Sequence, residues 1–548
     1  MHTLIAQPCP SAALPGLISG SELAQYEAHL RDESRLTGQA RCLAFPRTAA
    51  EVAELLRFAA AEKLNVTVSA ARTGITAGAV PVGGLLISLE RMNRICGLRR
   101  TGSGEFRVRC EAGVILADLQ KAVRLGRFPD SASWDDESRR VLAQMQHGRH
   151  LYPPDPTETS ASIGGTVACN ASGAHTFAHG PTRNFVTWLE IVLADGSRLE
   201  VPRGQFAADS AGRFRLERAD GSTATVTIPT YRQPQTKNAA GYFTAPGMDL
   251  LDLFIGAEAT LGIITQVELR LIPAPETSCA VVTFWPDDRQ AIEFTLAVRA
   301  QRQELGLEAI EYFDPLALNL LRAHRHELGA ASGIPECLPA AAASAIYLDL
   351  GTSASRLRPA LETLAAAVRK CGGDPELCWS ALEKEERERL RLFRHALPEI
   401  VNSRIGAIRQ RHPTVTKLGT DMAVPDAYLE HILAFYRARL DPAGLDYVIF
   451  GHIGDNHLHV NILPRNPEEY AAGKKLYAEF AAEVVRCGGS PAAEHGIGRL
   501  KTGFLALLYG ADGVAQMRTL KAAFDPDFRL APGVWFEQEK TARREKEE

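Results

Sequence analysis

Hydrophobic and polar positions follow two periods along the chain, and these periods predict alternating helices and strands. The segment 48–60 carries apolar residues at helical spacing behind Thr48 and Glu51, a pair typical of a helix N-terminus. The segment 65–70 alternates like a strand. Two β-like runs joined by an Asp-Gly turn within 186–201 predict a β-hairpin.

The second half repeats the alternation with its own units. Residues 277–286 and 345–351 read as strands, and residues 287–303 and 355–373 as helices. Such alternation indicates an α+β region, an antiparallel sheet backed by helices. Prolines near residue 275 mark a boundary between two domains.

The predicted organisation has four parts. They are an N-terminal extension at 1–36, a first domain at 37–275, a second domain at 276–485, and a C-terminal helical segment with a solvated tail at 486–548.

Composition and charge narrow the class of protein. At 548 residues the chain is too long for one hydrophobic core. The net charge of −4, with lysine and arginine scattered, predicts no nucleic-acid partner. The sequence contains no run of about 18 apolar residues, so no transmembrane segment is predicted. Ten cysteines without a C-x-x-C pair favour reduced thiols and a cytoplasmic protein, with peripheral contact to a membrane and homo-oligomerisation left open.

Two stretches rich in small residues, 69–81 and 152–184, are candidate cofactor loops. Small residues let backbone N–H groups approach a diphosphate closely. Each stretch taken alone is more often an ordinary turn than a cofactor loop. Neither contains G-x-G-x-x-G or G-x-x-x-x-G-K-[ST], so the sequence does not predict a Rossmann or P-loop site.

Four motifs in order resemble the FAD-binding domain of the vanillyl-alcohol oxidase/PCMH flavoproteins. They are ARTGITAGAVP, YPPDPTETSASIGGTVACNASG, TKNAAGYF and GAEATLGIIT, spread over residues 37–275. The resemblance implies a PCMH-type domain of two α+β subdomains that hold an extended FAD between them. The second domain is then the substrate (cap) domain.

The resemblance also implies cofactor contacts at particular positions. The diphosphate would contact Arg72, Thr73, Gly74, Ile75, Thr76, Ala77 and Gly78. The ribityl chain and ring would follow Ser160, Gly164, Gly165, Asn170 and Gly173, with Gly262 and Ile264 near the flavin.

The chain departs from that family in two places. The usual R-G-G-G-T-G is Ser69 to Gly74 here, with alanine or arginine at glycine positions; alanine permits close approach where φ stays negative. The loop has no histidine, so noncovalent FAD is expected. The insertion around 128–150 is longer than the usual link, and no role is assigned to it.

The stretch FGHIGDNHLHVNIL, residues 450–463, raises a separate question. From His457 onward His457, His459 and Asn461 share one face of a strand. A turn-prone segment lets His452 return beside His459, and PAAEHGIGRLK supplies Glu494. Two imidazoles and a carboxylate form a three-ligand set with open positions, although spacing alone fits buried core histidines equally well.

The patterns G-H-x-G-D-x-x-L-H-x-N and A-E-H-G-I-G are similar to the C-terminal signature of the FAD-linked 2-hydroxy-acid dehydrogenases, which include D-lactate dehydrogenase, the glycolate oxidase flavoprotein subunit and D-2-hydroxyglutarate dehydrogenase. The resemblance implies a divalent metal, expected to be Zn²⁺, on His452, His459 and Glu494. It implies His495 as the catalytic base and Asn461, Arg394 and Lys417 as substrate-binding residues. His457 falls at a variable position and receives no role.

The predicted reaction is FAD-dependent oxidation of a D-2-hydroxy acid, D-lactate-like or D-2-hydroxyglutarate-like, to the 2-oxo acid. Hydride passes to flavin N5, and a quinone, a cytochrome or an electron-transfer flavoprotein accepts the electrons. Two alternatives remain at this point. One is an FAD transferase resembling alkylglycerone-phosphate synthase, and the other is a metal-dependent hydrolase without redox chemistry.

Overall fold

The computed structural model describes residues 1–145, 149–335 and 338–537. Part of the insertion around 128–150 and the tail expected to be solvated therefore lie outside the described residues. The described part of the insertion forms the helix Asp136–Gln144, which packs on strand Ile95–Arg100. Trp134 anchors it by donating its indole N–H to the Ile95 carbonyl at 2.7 Å.

The first domain contains two principal sheets. In the smaller sheet the order is Ile18–Ser19, Cys42–Ala44, Leu85–Ser88 and Val66–Ser69. In the larger, fully antiparallel sheet the order is Gln7–Pro8, Ser197–Pro202, Val186–Val192, Ile263–Arg270, Phe106–Glu111 and Ile95–Arg100. Thr3–Ile5, Arg213–Glu217 and Thr223–Thr227 form a third sheet, and His150–Leu151 pairs with Ile272–Pro273.

The second domain is built on one antiparallel sheet of eight strands. Their order is Trp379–Ala381, Thr277–Trp285, Ser344–Thr352, Leu307–Phe313, Tyr447–His452, His457–Ile462 and Leu418–Gly419, with Met422–Ala423 also paired to His457–Ile462. The register sets Phe450 opposite His459 and His452 opposite His457. The histidines of the two strands are therefore neighbours.

The α-helices fall into two groups. Those before residue 275 are Ala49–Ala61, Leu116–Leu125, Asp136–Gln144, Ile163–Ala168, Thr176–His179 and Leu251–Phe254. Those after it are Asp288–Arg299, Arg302–Leu305, Pro315–Leu328, Ala354–Lys370, Lys384–Arg411, Leu429–Ala443, Pro467–Arg486 and Gly503–Phe524.

Helices cover both faces of the eight-stranded sheet. Alternate residues of its strands therefore pack into two different hydrophobic cores, one on each face. Val281 packs with the helices Asp288–Arg299 and Ala354–Lys370 on one face. Its neighbour Val282 packs with the helices Pro315–Leu328 and Lys384–Arg411 on the other. A sheet buried on both sides is a rigid support for the side chains that its strands carry.

The C-terminal segment packs into the core of the first domain. Leu505, Met517 and Trp535 are buried in the same cluster as the larger sheet. Glu258 holds the C-terminal segment against the first domain. Its carboxylate accepts hydrogen bonds from the Ile497 and Gly498 amides at 2.7 Å and from the Trp535 indole at 2.8 Å. These contacts bring the E-H-G motif next to the first domain.

Among the described residues, no helix combines the length and the apolar character that crossing a membrane requires.

Candidate active site

One cavity of about 1100 Å³ opens between the two domains and contains most of the predicted site residues. The predicted cofactor residues that line it are Arg72–Thr76, Gly78, Gly164, Gly165, Gly262 and Ile264. The predicted metal, substrate and base residues also line it, namely His452, His459, Glu494, Asn461, Arg394, Lys417 and His495. The two groups of residues thus share one space.

Four predicted cofactor residues lie away from the lining. Ala77 is fully buried at φ 62°, and Asn170 accepts a hydrogen bond from the Arg183 amide. Gly173 packs against the Asp155 backbone, and Ser160 is exposed and bonds to Glu158. Their positions favour a supporting role for the loops over direct contact with a ligand.

The small-residue loops have the form that a phosphate-bearing cofactor requires. Ala70 and Ala71 avoid positive φ, while Arg72 occupies it at 60°. A Cβ added to Gly74 would meet no atom within 4 Å, so the backbone there is open. Ser69 and Ser172 line the cavity, and their buried hydroxyls have no hydrogen-bond partner within the described part of the chain. Unpaired buried hydroxyls beside an open backbone fit a polar ligand such as FAD.

The guanidinium of Arg72 folds back onto its own loop. It donates to the Ala70 carbonyl at 2.8 Å and to Glu90 at 3.1 Å. The pKa of Glu90 is lowered to about 2, chiefly by hydrogen bonding to His29 and also by Arg72. In this arrangement Arg72 stabilises the loop, and the backbone amides are the groups left to meet a diphosphate.

Three imidazoles surround the carboxylate of Glu494. His452 Nε2 lies 3.6 Å from Glu494 Oε2, and His459 Nε2 lies 3.5 Å from Oε1. His457 Nδ1 lies 3.8 Å from Oε2. One donor atom from each of these four residues lies within 4.8 Å of the others, which fits a metal-binding group.

Lys237, from the TKNAAGYF motif, completes the charge balance of this cluster. Its Nζ donates to Glu494 Oε2 at 2.8 Å and to the Gly173 carbonyl at 3.1 Å. Burial would raise the pKa of Glu494, but Lys237, His452 and His457 outweigh burial and hold that pKa well below its usual range. Glu494 is therefore a carboxylate anion.

Asp421, in the second domain, positions the E-H-G motif. Its Oδ1 accepts from the Glu494 amide and its Oδ2 from the His495 amide, both at 3.0 Å, and Lys501 donates to it at 2.7 Å. His495 Nδ1 lies 3.4 Å from Asp421 Oδ2, while its Nε2 lies 3.4 Å from Glu494 Oε1. Burial lowers the pKa of His495 to about 4, so its imidazole is neutral at neutral pH.

Two cations and an amide are available to a substrate carboxylate. Arg394 lines the cavity with Nη2 3.7 Å from Glu311 Oε1, and the carboxylates around it raise its pKa despite burial. Lys417 donates to Asn402 at 3.3 Å, and burial lowers its pKa. The Asn461 amide shares the strand face of His459.

Sequence reasoning missed four residues of this site: Lys237, Glu311, Asp421 and His457. The first three act through contacts between segments far apart in the chain, which a single sequence does not encode. His457 carried a visible signal, since it lies on the same strand face as His459. The variable motif position alone kept it from being assigned.

Comparison with known proteins identifies the class. Residues 274–534 match the family described as FAD linked oxidases, C-terminal domain, and residues 40–136 and 139–202 match the FAD binding domain. The chain belongs to the FAD-linked oxidases and is an FAD-dependent oxidoreductase. The FAD-binding domain disfavours the metal-dependent hydrolase considered above.

Full-length relatives give the same picture. The chain is 29% identical over 534 residues to a D-2-hydroxyglutarate dehydrogenase of Xanthomonas citri pv. viticola, covering 96% of this chain and 95% of the relative. It is 28% identical over 530 residues to a D-lactate dehydrogenase of Anaerostipes hadrus, covering 94% of each.

A solved structure of p-cresol methylhydroxylase with substrate bound aligns with a TM-score of 0.65 at 15% identity, over 96% of this chain and 98% of that one. This likeness confirms the predicted PCMH-type fold.

Proposed function

We propose that this protein oxidises a D-2-hydroxy acid, of the D-lactate or D-2-hydroxyglutarate type, to the 2-oxo acid. The observation that carries the proposal is the ring of imidazoles around Glu494, with His495 beside it, in the cavity lined by the FAD-binding loops. The names of the two relatives support the same substrate class.

His452, His459 and Glu494 would hold a divalent cation. The imidazoles and the buried carboxylate are a donor set that first-row divalent metals prefer. A cation bound there supplies Lewis acidity that lowers the pKa of a substrate hydroxyl. Glu311 and the Thr420 carbonyl orient His452 and His459 from behind, at 2.6 and 2.7 Å from their Nδ1 atoms.

His495 would accept the hydroxyl proton at Nε2. Asp421 lies beside Nδ1 and favours the tautomer with its proton there, which leaves the Nε2 lone pair free. Arg394 and Lys417 bind carboxylate, and Asn461 fixes the orientation of the acid between them. The loops around Gly74 and Gly164 hold the dinucleotide, and bound FAD supplies the hydride acceptor.

Anaerobic mixing of the yellow protein with paired D- and L-2-hydroxy acids tests the proposal. We expect D-lactate or D-2-hydroxyglutarate to bleach the oxidised flavin band, with one 2-oxo acid formed per flavin, and the L-acids to leave the band unchanged. If dithionite reduces the flavin but no D-2-hydroxy acid does, the proposal is overturned, and the result favours the transferase alternative.

Arg394→Lys tests the carboxylate contact. Lysine keeps the charge but cannot form the bidentate pair, so we expect KM to rise about 10- to 100-fold, the cost of a charge-assisted hydrogen bond, with a smaller change in kcat. Arg391→Lys is the matched control, since Arg391 is exposed on the same helix and pairs with Glu388. Equal KM values for both variants would contradict the role of Arg394.

A further inference from the structure

His457 is an imidazole with no function in the three-ligand site described above. Its side chain is 0% exposed, and its Nδ1, the nitrogen that faces Glu494, has no hydrogen-bond partner among the described residues. Leaving a buried polar group unpaired costs about 1–3 kcal/mol. An unpaired buried imidazole therefore indicates a partner of another kind.

The position of the His457 ring, beside His452, His459 and Glu494, indicates that this partner is a cation. The His457 ring centroid lies 4.3 Å from that of His459 and 5.4 Å from that of His452, and all three rings face Glu494. The four donor atoms lie within 4.8 Å of one another. Donors at about 2.1 Å from one cation lie at most about 4.2 Å apart, so shifts of a few tenths of an ångström bring all four into one coordination sphere.

The groups beside the ring nitrogens that are turned away from Glu494 also favour a metal-ligand role for all three histidines. His452 Nδ1 faces Glu311 and His459 Nδ1 faces the Thr420 carbonyl, so their Nε2 lone pairs point inward. His457 Nε2 lies 3.3 Å from Asp421 Oδ1, although without the alignment of a hydrogen bond. An acceptor behind one ring nitrogen leaves the other as a ligand, which is the usual arrangement of metal-bound histidine.

Lys237 does not account for these lone pairs. Its ammonium is directed to Glu494, to the Gly173 carbonyl and, at 4.0 Å, to Asp455. It balances the carboxylate charge but donates to none of the three imidazoles. The ring nitrogens of the three imidazoles that face Glu494 therefore need another positively charged partner. A cation bound among them would be that partner.

We propose that His457 is a fourth protein ligand, so that the cation site is His₃Glu. A 2-hydroxy acid, which the proposed function supplies, would add its hydroxyl and one carboxylate oxygen to give six donors. Six donors suit Mn²⁺, Fe²⁺ or Co²⁺, whereas Zn²⁺ in proteins favours four. The inference thus differs from the zinc site that the family resemblance implies.

Metal binding tests the proposal without reference to turnover. The full-length protein, with FAD bound, is stripped of metal by a chelator and reloaded with Mn²⁺ alone. X-ray absorption of the loaded wild-type protein is expected to show three imidazole ligands, and that of His457→Asn two. Mn²⁺ affinity, measured by electron paramagnetic resonance, is expected to fall at least about 100-fold in His457→Asn, more than for loss of an outer-shell partner.

His395→Asn is the matched control, since His395 lines the same cavity outside the cluster and its loss is expected to leave Mn²⁺ affinity unchanged. Flavin content reports whether each variant is folded, and the wild-type spectrum decides the assignment if His457→Asn does not fold. Two imidazoles in the wild type, or no bound Mn²⁺, would overturn it. Three imidazoles in a protein that no D-2-hydroxy acid reduces would support His457 as a ligand and sink only the proposed function.

Discussion

Replacing Glu494 by glutamine is expected to lower kcat/KM by at least about 10³-fold and to release the bound cation. Glutamine keeps the shape of the side chain but removes the negative charge of the proposed ligand at the centre of the cluster. It also removes the nearer of the two carboxylates that face the buried ammonium of Lys237 and leaves only Asp455 at 4.0 Å. Loss of Lewis-acid stabilisation is worth several kcal/mol of transition-state energy, and each 1.36 kcal/mol corresponds to about tenfold in rate.

Steady-state kinetics and metal analysis of the purified variant check this prediction. Glu483→Gln is the matched control, because Glu483 belongs to a separate group formed by His431, Glu483 and Cys487. It is expected to keep wild-type turnover. Chelator treatment of the wild type should reproduce the loss seen in Glu494→Gln, and added divalent metal should restore only the wild type. Full turnover by Glu494→Gln would remove Glu494 from the mechanism.

Local signals in the sequence were sufficient for most elements of the fold. The Thr48 hydroxyl caps helix Ala49–Ala61 by accepting from the Glu51 amide at 3.2 Å, as the pattern predicts. The Glu51 carboxylate, however, accepts from the Arg47 amide, one residue before the cap. The Asp-Gly turn joins Val186–Val192 to Ser197–Pro202 as a hairpin. These interactions span a few residues, so one sequence contains them whole.

The pairing of distant segments could not be predicted in the same way. Lys237 meets Glu494 across 257 residues, and Asp421 meets the Glu494 amide across 73. Periodicity says which face a residue occupies but not which remote element packs on that face. The family motifs located the segments, and only the fold shows that Asp421 and Lys237 hold them in register.

The histidine strand shows how far a pattern reaches. Alternation predicted that His457 and His459 share a face, and the register confirms that their rings lie together. The return of His452 beside them followed from the turn at Gly454–Asn456, which forms with Asn456 at φ 52°. The acceptors behind the rings are Glu311 on strand Leu307–Phe313 and the carbonyl of Thr420, which follows strand Leu418–Gly419, and neither left a trace in this motif.

Replacing His495 by alanine is expected to slow anaerobic flavin reduction by D-2-hydroxy acids about 10²- to 10⁴-fold while leaving the oxidised flavin spectrum normal. The imidazole lies between Asp421 and Glu494 with its Nε2 toward the cluster, and its lowered pKa keeps it neutral and able to accept a proton. Without it the substrate hydroxyl must lose its proton to water, whereas the proposed carboxylate contacts through Arg394 and Lys417 are unchanged. The substrate concentration that gives half-maximal reduction rate should therefore change little.

Stopped-flow reduction in a single turnover separates the chemical step from reoxidation by any acceptor, and added imidazole should restore part of the lost rate, since the cavity left by the ring is polar. His326→Ala, an exposed histidine on helix Pro315–Leu328, is the control and should reduce at the wild-type rate. A His495→Ala protein that is reduced as fast as the wild type would show that the proton leaves by another route. Rescue by imidazole, in contrast, would place proton acceptance at the position of the missing ring, because a purely structural defect does not respond to a small base.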